Sequence, residues 1–232
     1  MQKPDNNWSI FIKIYYRVGE IDEKDAVIII NYKMKIFPKS AYETKQDFFE
    51  KKRWTLHLAL VYTHSQVGMN LQIHAFDHWS NDTCQDSWFT ASSLHAVIVE
   101  LNPKPEWITF ILDNGPHYHN ADLMIIMKDE RNGIIYVRKW TYFETGEAKI
   151  SIDSHYAQIS HAIKCHICQG FDILQGSNIE LAIEGICGTS AAHLKPKCTK
   201  GKKIKAEWSN EGEYAGYICA HSIPNIGKWN YF

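Results

Sequence analysis

The run AVIIINYKMKI, from Ala26, is dense in β-branched and apolar residues and reads as a buried strand. Pro38 closes it, because proline cannot donate to a strand ladder. The polar stretch 41–51 suits a short helix. TLHLALVYT, from Thr55, alternates and predicts a second strand, and MNLQIHAFDHW, from Met69, predicts a third after a turn at Val67-Gly68. The period then changes. In CQDSWFTASSLHAVIVEL, from Cys84, residues Trp88, Ala91, Leu94, Val97, Ile98 and Leu101 recur at helical spacing until Pro103 and Pro105 stop the helix. WITFILD, from Trp107, is a short apolar strand closed by the turn residues Asn114-Gly115-Pro116. NADLMIIMKDE predicts a helix ending near Gly133, and IIYVRKWTYF, from Ile134, a further strand. SIDSHYAQISHAIKCHI, from Ser151, carries Ile152, Tyr156, Ile159 and Ile163 down one face of an amphipathic helix.

Three strands, then helix, strand, helix, strand and helix, is an informative order. Consecutive strands pair antiparallel, and strands separated by helices pair parallel through crossovers. The expectation is an α/β fold with a mixed five-stranded sheet flanked by helices, in the order a ribonuclease H-like fold uses, over residues 26–170. Residues 171–232 read as a small irregular C-terminal extension. It holds one helix, NIELAIEGICG, capped by Gly188, a Lys/Gly-rich basic loop, and edge strands in AEWSN and YAGYICAHSI.

Composition narrows the function classes. Hydrophobic residues make up 45% of the 232, and charged residues 22%, which suits a packed core rather than a disordered chain. A formal net charge of -1 excludes a global basic field, so any nucleic-acid contact must use local patches. Lys195, Lys197, Lys200, Lys202, Lys203 and Lys205 form the clearest one. No apolar stretch is long enough for a transmembrane helix, and MQKPDNNWSIFIKIYY lacks the layout of a secretory signal. The expectation is an intracellular protein, the nucleus included, with no membrane partner. Nothing in the sequence speaks to an oligomeric state.

The predicted fold places carboxylates where phosphodiester chemistry needs them. Two divalent ions, Mg²⁺ or Mn²⁺, are held between acids from the middle of the first strand, the end of the fourth, and the last helix. Asp113 fits the second position, at the carboxyl end of WITFILD beside a turn. It could equally cap that turn as an Asx motif. The third position has two candidates, Asp153 in the first turn of the last helix and Glu147 in the preceding Gly146-Glu147-Ala148-Lys149 turn. Asp153 is preferred, because a helix start holds a ligand more rigidly than a turn. The first position offers Asn31, whose amide can ligate a metal but brings no charge. Lys33, His117, His119, Lys149, Lys202 and Lys203 are the candidate contacts to nucleic acid.

These segments resemble the DDE-type transposase-like proteins that occur as multicopy elements in arbuscular-mycorrhizal fungal genomes. The resemblance rests on INYKMKI at Ile30, FFEKKRWTLH at Phe48, FDHWSNDTCQDSWFTASSLHAV at Phe76, DNGPHYHN at Asp113 and GEAKISIDSHYAQISHAI at Gly146. EGEYAGYICAHSIPNIGKW at Glu211 looks related too. The resemblance implies a ribonuclease H-like fold, DNA as partner, and an ancestral metal-dependent cleavage and strand transfer. It also implies an aspartate before Tyr-Lys-Met. Here that position is Asn31, so the copy is expected to be impaired or inactive, with metal ligands reduced to Asp113 and Asp153.

Other clusters admit plainer readings. His117 and His119 could touch phosphate or metal, or simply pack beside Tyr118. Asp77, His78 and Trp79 suit packing and turn roles, and Trp54, Trp79, Trp88, Trp107 and Trp140 suit core anchors. An alternative function is a non-catalytic zinc-binding or interaction module using Cys165, His166, Cys168, Cys187, His193 and Cys198. Zinc is disfavoured on this reading, because the first pair falls inside a helix and the second half lacks a close pair. The six cysteines are read as reduced thiols.

Overall fold

The computed structural model describes residues 24–40, 53–64, 71–81, 83–113, 115, 117–127, 136–143 and 149–195, with the short pieces 207–208, 218–219 and 230–231. The predicted helix over 41–51 lies outside them. Three strands come first: β1 (Asp25–Ile36), β2 (Trp54–His64) and β3 (Leu71–Ser80). Helix α1 (Ser87–Glu100), strand β4 (Trp107–Asp113), helix α2 (Ala121–Met127) and strand β5 (Tyr136–Phe143) follow. Then come α3 (Lys149–Cys168), α4 (Ser177–Ile183) and β6 (Thr189–Lys195).

Six of these strands form one mixed sheet in the order β5-β4-β1-β2-β3-β6. β1 pairs parallel with β4 and β4 parallel with β5, while β2 runs antiparallel to both β1 and β3. A two-residue strand, β9 (Asn230–Tyr231), pairs with the end of β6. The sequence pattern anticipates the first five strands, each within a few residues. It misses β6, which pairs parallel with β3 and takes the sheet beyond five strands. The segments read as C-terminal edge strands differ as well. Glu207–Trp208 (β7) and Ile218–Cys219 (β8) pair with each other instead of joining the sheet. The last helix starts at Lys149, two residues before the expected Ser151.

Alternation along the central strands sorts side chains into two cores. Ala26, Ile28 and Ile30 of β1 and Ile108, Phe110 and Leu112 of β4 face α1 and α2, where Leu94, Val97, Leu123 and Ile126 meet them. Val27 and Ile29 of β1 and Ile111 of β4 face the other way, toward Ile152, Tyr156, Ile159 and Ile163 of α3 and Ile179 and Ile183 of α4. The central strands are buried on both faces, which is why they read as nearly continuous apolar runs. Asp86 caps α1, its side chain accepting from the Phe89 N–H at 2.8 Å, and this sets the helix start at Ser87 instead of Cys84.

The tryptophans divide. Trp54 and Trp79 are buried, and Trp88 and Trp140 pack half-buried against the core. Trp107 does not anchor the core. It is 37% exposed at the start of β4, with the Arg138 guanidinium 5.2 Å from its ring centroid. No helix among the described residues is long and apolar enough to cross a membrane.

Candidate active site at the end of the sheet

The parallel register of β1 and β4 runs through Ile29–Ile111 and Ile30–Leu112. The register ends there, and Asn31 and Asp113 are the next residues along the two adjoining strands. Both follow residues that face α1, so both turn to the side covered by α3. β4 ends at Asp113 while β1 continues to Ile36, so the pair lies at the carboxyl edge of β4, where the ladder between the two strands stops. Asn31 and Asp113 are each partly exposed.

Helix α3 approaches this point through Tyr156. Its hydroxyl donates to the Asn31 carbonyl at 2.7 Å. Burial pushes the Tyr156 hydroxyl well above the ordinary phenol range, and the negative charges of Asp77 and Asp153 add to that. Asp153, one turn before Tyr156, is exposed beside the inward-facing Ile152. On the other side, Tyr118 follows the turn after β4. Burial raises its hydroxyl as well, reinforced by Tyr32, Tyr156 and Asp113. Of the two buried tyrosines, Tyr156 reaches Asn31 and Tyr118 stacks on the next residue, Tyr32.

The remaining candidates disperse. The half-buried His117 is committed to structure: its Nδ1 lies 2.9 Å from the Gln85 carbonyl oxygen, and its ring packs edge-on against Tyr32. His119 is exposed and rests on Tyr142, 4.9 Å between ring centroids. Lys33 pairs with Leu56 within β1 and β2, and Lys149 opens α3, but both side chains lie outside what is described. Glu147, Lys202, Lys203 and Cys198 lie outside the described residues altogether.

Sequence reasoning missed two buried polar systems. On the α3 side, Asp77 is fully buried and its Oδ2 lies 2.7 Å from His155 Nε2. Through Leu58, Asp77 stands in the same cross-strand row as Asn31. On the α1 side, Tyr32, His57 and His78 form the next row. His57 Nδ1 and His78 Nδ1 lie 2.6 and 2.7 Å from one oxygen, the Ser93 hydroxyl on α1. Burial holds both imidazoles below the usual histidine range, His78 at about 4. The signal available in the sequence was weak: polar residues at inward positions of otherwise apolar strands.

Asn31 and Asp113 follow one another across the ends of the β1–β4 ladder, and Asp153 lies exposed one helical turn before Tyr156. Among the described residues, no three His, Cys, Asp or Glu side chains gather around one point. A groove between α4 and β6, about 430 Å³ and lined by Glu180, Glu184, Thr189 and Ala191, lies at the opposite edge of the sheet. No protein-family model matches the chain, and no curated protein matches it either.

Proposed function

We propose that this chain is a ribonuclease H-like domain derived from a DDE-type transposase, impaired in the ancestral cleavage and strand transfer, with DNA binding as its remaining role. One observation carries the reading: the strand order β3-β2-β1-β4-β5, in which β2 alone is reversed. That arrangement sets the middle of β1 beside the end of β4, where a two-metal nuclease needs its first two acids. On this reading Asp113 is the second of these acids and Asn31 stands for the first.

The donor set does not fit two divalent ions. Mg²⁺ and Mn²⁺ select oxygen ligands, and two of them close together need a bridging negative charge that an amide does not supply. No cleavage step is therefore derived through a metal. What remains is the end of the β1–β4 ladder with Asp113 beside Asn31, and Lys33, Lys149, His117, His119, Lys202 and Lys203 as the candidate phosphate contacts by sequence.

The test is duplex-DNA binding across a salt series, with plasmid nicking in Mn²⁺ measured in parallel. The expected result is salt-dependent binding without nicking, since phosphate contacts release counterions. Nicking that Asp113→Ala abolishes would overturn the impaired reading. Absence of any DNA binding at low salt would overturn the remnant role.

A further inference from the structure

We propose that His161, Cys165 and Cys168 form a binding site for a borderline-soft divalent cation of the zinc class on the outer face of α3. The inference is independent of the function proposed above. It starts from one contact: Cys165 Sγ and His161 Nε2 lie 3.4 Å apart at an exposed place on the helix. Zinc binds thiolate at about 2.3 Å and imidazole at about 2.0 Å, so two such ligands on one tetrahedral ion stand about 3.5 Å apart. The pair is already at ligand spacing.

Helix geometry supplies the third ligand. Positions 161, 165 and 168 fall within about 60° of the helix circumference at 100° per residue. The inward stripe of Ile152, Tyr156, Ile159 and Ile163 occupies the opposite side. Cys168 is exposed, as is His161, so its thiol can turn toward Cys165 without disturbing the core. Residues three apart on a helix are neighbours at about 5–6 Å between Cβ atoms, close enough for two thiolates to share one ion. Three side chains are not gathered around one point among the described residues. The helix therefore presents two side chains at ligand spacing and a third on the same exposed face. Water takes the fourth position. Binding converts two thiols to thiolates and releases two protons at neutral pH. A pair of cysteines inside a helix does not preclude such a site, because the histidine one turn earlier completes the stripe.

The test uses the full reduced chain and Co²⁺ alone as a spectroscopic probe, with Zn²⁺ as competitor. The expected result is one Co²⁺ per chain, a thiolate-to-cobalt charge-transfer band, visible bands of tetrahedral geometry, and displacement by Zn²⁺. Cys165→Ser and Cys168→Ser should each remove about half the charge-transfer intensity and weaken binding by more than about tenfold, and His161→Ala should weaken it similarly. Serine at Cys84, Cys187, Cys198 or Cys219 should change neither. No charge-transfer band in the reduced chain overturns the proposal. So does a His161→Ala variant with unaltered spectrum and affinity, or loss of the site on changing Cys187. Should a variant fail to fold, alkylation of the unmodified chain with and without Zn²⁺, read residue by residue, decides the matter. Protection of Cys165 and Cys168 supports the site, and protection confined to other cysteines overturns it.

Discussion

His155 on α3 meets the fully buried carboxylate of Asp77 on β3 at 2.7 Å, tying the helix to the sheet across the core that α3 covers. His155 itself is buried, so neither partner is served by bulk water. The contact sits two residues after Asp153 and one before Tyr156, and so fixes the stretch of α3 nearest Asn31.

His155→Leu should destabilise the protein by about 1–3 kcal/mol, because a short contact to a fully buried carboxylate is lost. The double variant Asp77→Asn with His155→Leu should recover part of that loss, since the buried charge is gone. Urea unfolding of the two variants and the parent checks this. Equal stability of His155→Leu and the parent would show that the pair contributes nothing.

Acid should weaken the other face. His57 and His78 are held neutral by burial around Ser93, with folded values below the usual histidine range. A base whose folded value is depressed takes up protons on unfolding. Its contribution is therefore fully present above about pH 6.5 and is lost as pH falls toward the folded value. For His78, moving from 6.5 to about 4 corresponds to roughly 3 kcal/mol, and His57 acts in the same direction. Stability measured by urea unfolding should fall between about pH 6.5 and pH 4. The fall should be shallower in His78→Gln. An identical slope in parent and variant would remove His78 from the account.

Gly176 is required by its neighbour, not by its backbone. Its φ of -62° suits any residue, yet an added Cβ would sit 1.8 Å from the Trp79 ring. Trp79 cannot swing aside freely, because it stacks on His193 at 3.9 Å between centroids and its indole N–H donates to Glu180. Gly176→Ala should cost about 1–3 kcal/mol through overpacking. In a Trp79→Leu background the same change should cost less, which thermal unfolding of the four combinations can read. An undiminished cost there would point to a cause other than the indole.

The parts of the fold legible in the sequence are those where burial imposes a period. AVIIINYKMKI and WITFILD announce themselves because β1 and β4 are covered on both faces, and Ile152, Tyr156, Ile159 and Ile163 mark α3 by their spacing. The parallel pairing of β1 with β4 followed from the crossover order alone. β6 was invisible because TSAAHLK is short, small and mostly half-buried, and its place is set by pairing with β3 more than by its own pattern. Asp77 and His155 were illegible as a pair because 78 residues separate them. An acid in a strand is ordinarily read as solvent-facing, so only tertiary contact exposes that exception. The contact of His161 with Cys165 was illegible because a histidine one helical turn before a cysteine carries no mark of its own in the sequence.

The sharpest consequence of the site reading concerns Asn31→Asp. Asn and Asp have nearly the same shape, so the substitution adds charge without new bulk. The new carboxylate would stand beside Asp113 on the adjoining strand. Without metal it meets like charge at a partly exposed position. The variant should then lose on the order of 1–3 kcal/mol relative to the parent. With Mn²⁺ the sign reverses, because an ion that binds only the folded state stabilises it by mass action. That gain is about 2.7 kcal/mol when free metal is a hundredfold above its dissociation constant. The parent has one carboxylate and an amide on the strand pair, so its melting temperature should rise far less over the same titration. Thermal unfolding of both chains across a Mn²⁺ series reads the difference. Asp113→Asn in the Asn31→Asp background should then abolish the metal-dependent gain, because both acids of the strand pair are needed to bridge an ion. Equal metal-induced shifts in parent and Asn31→Asp would take Asn31 out of the site, whatever DNA binding shows.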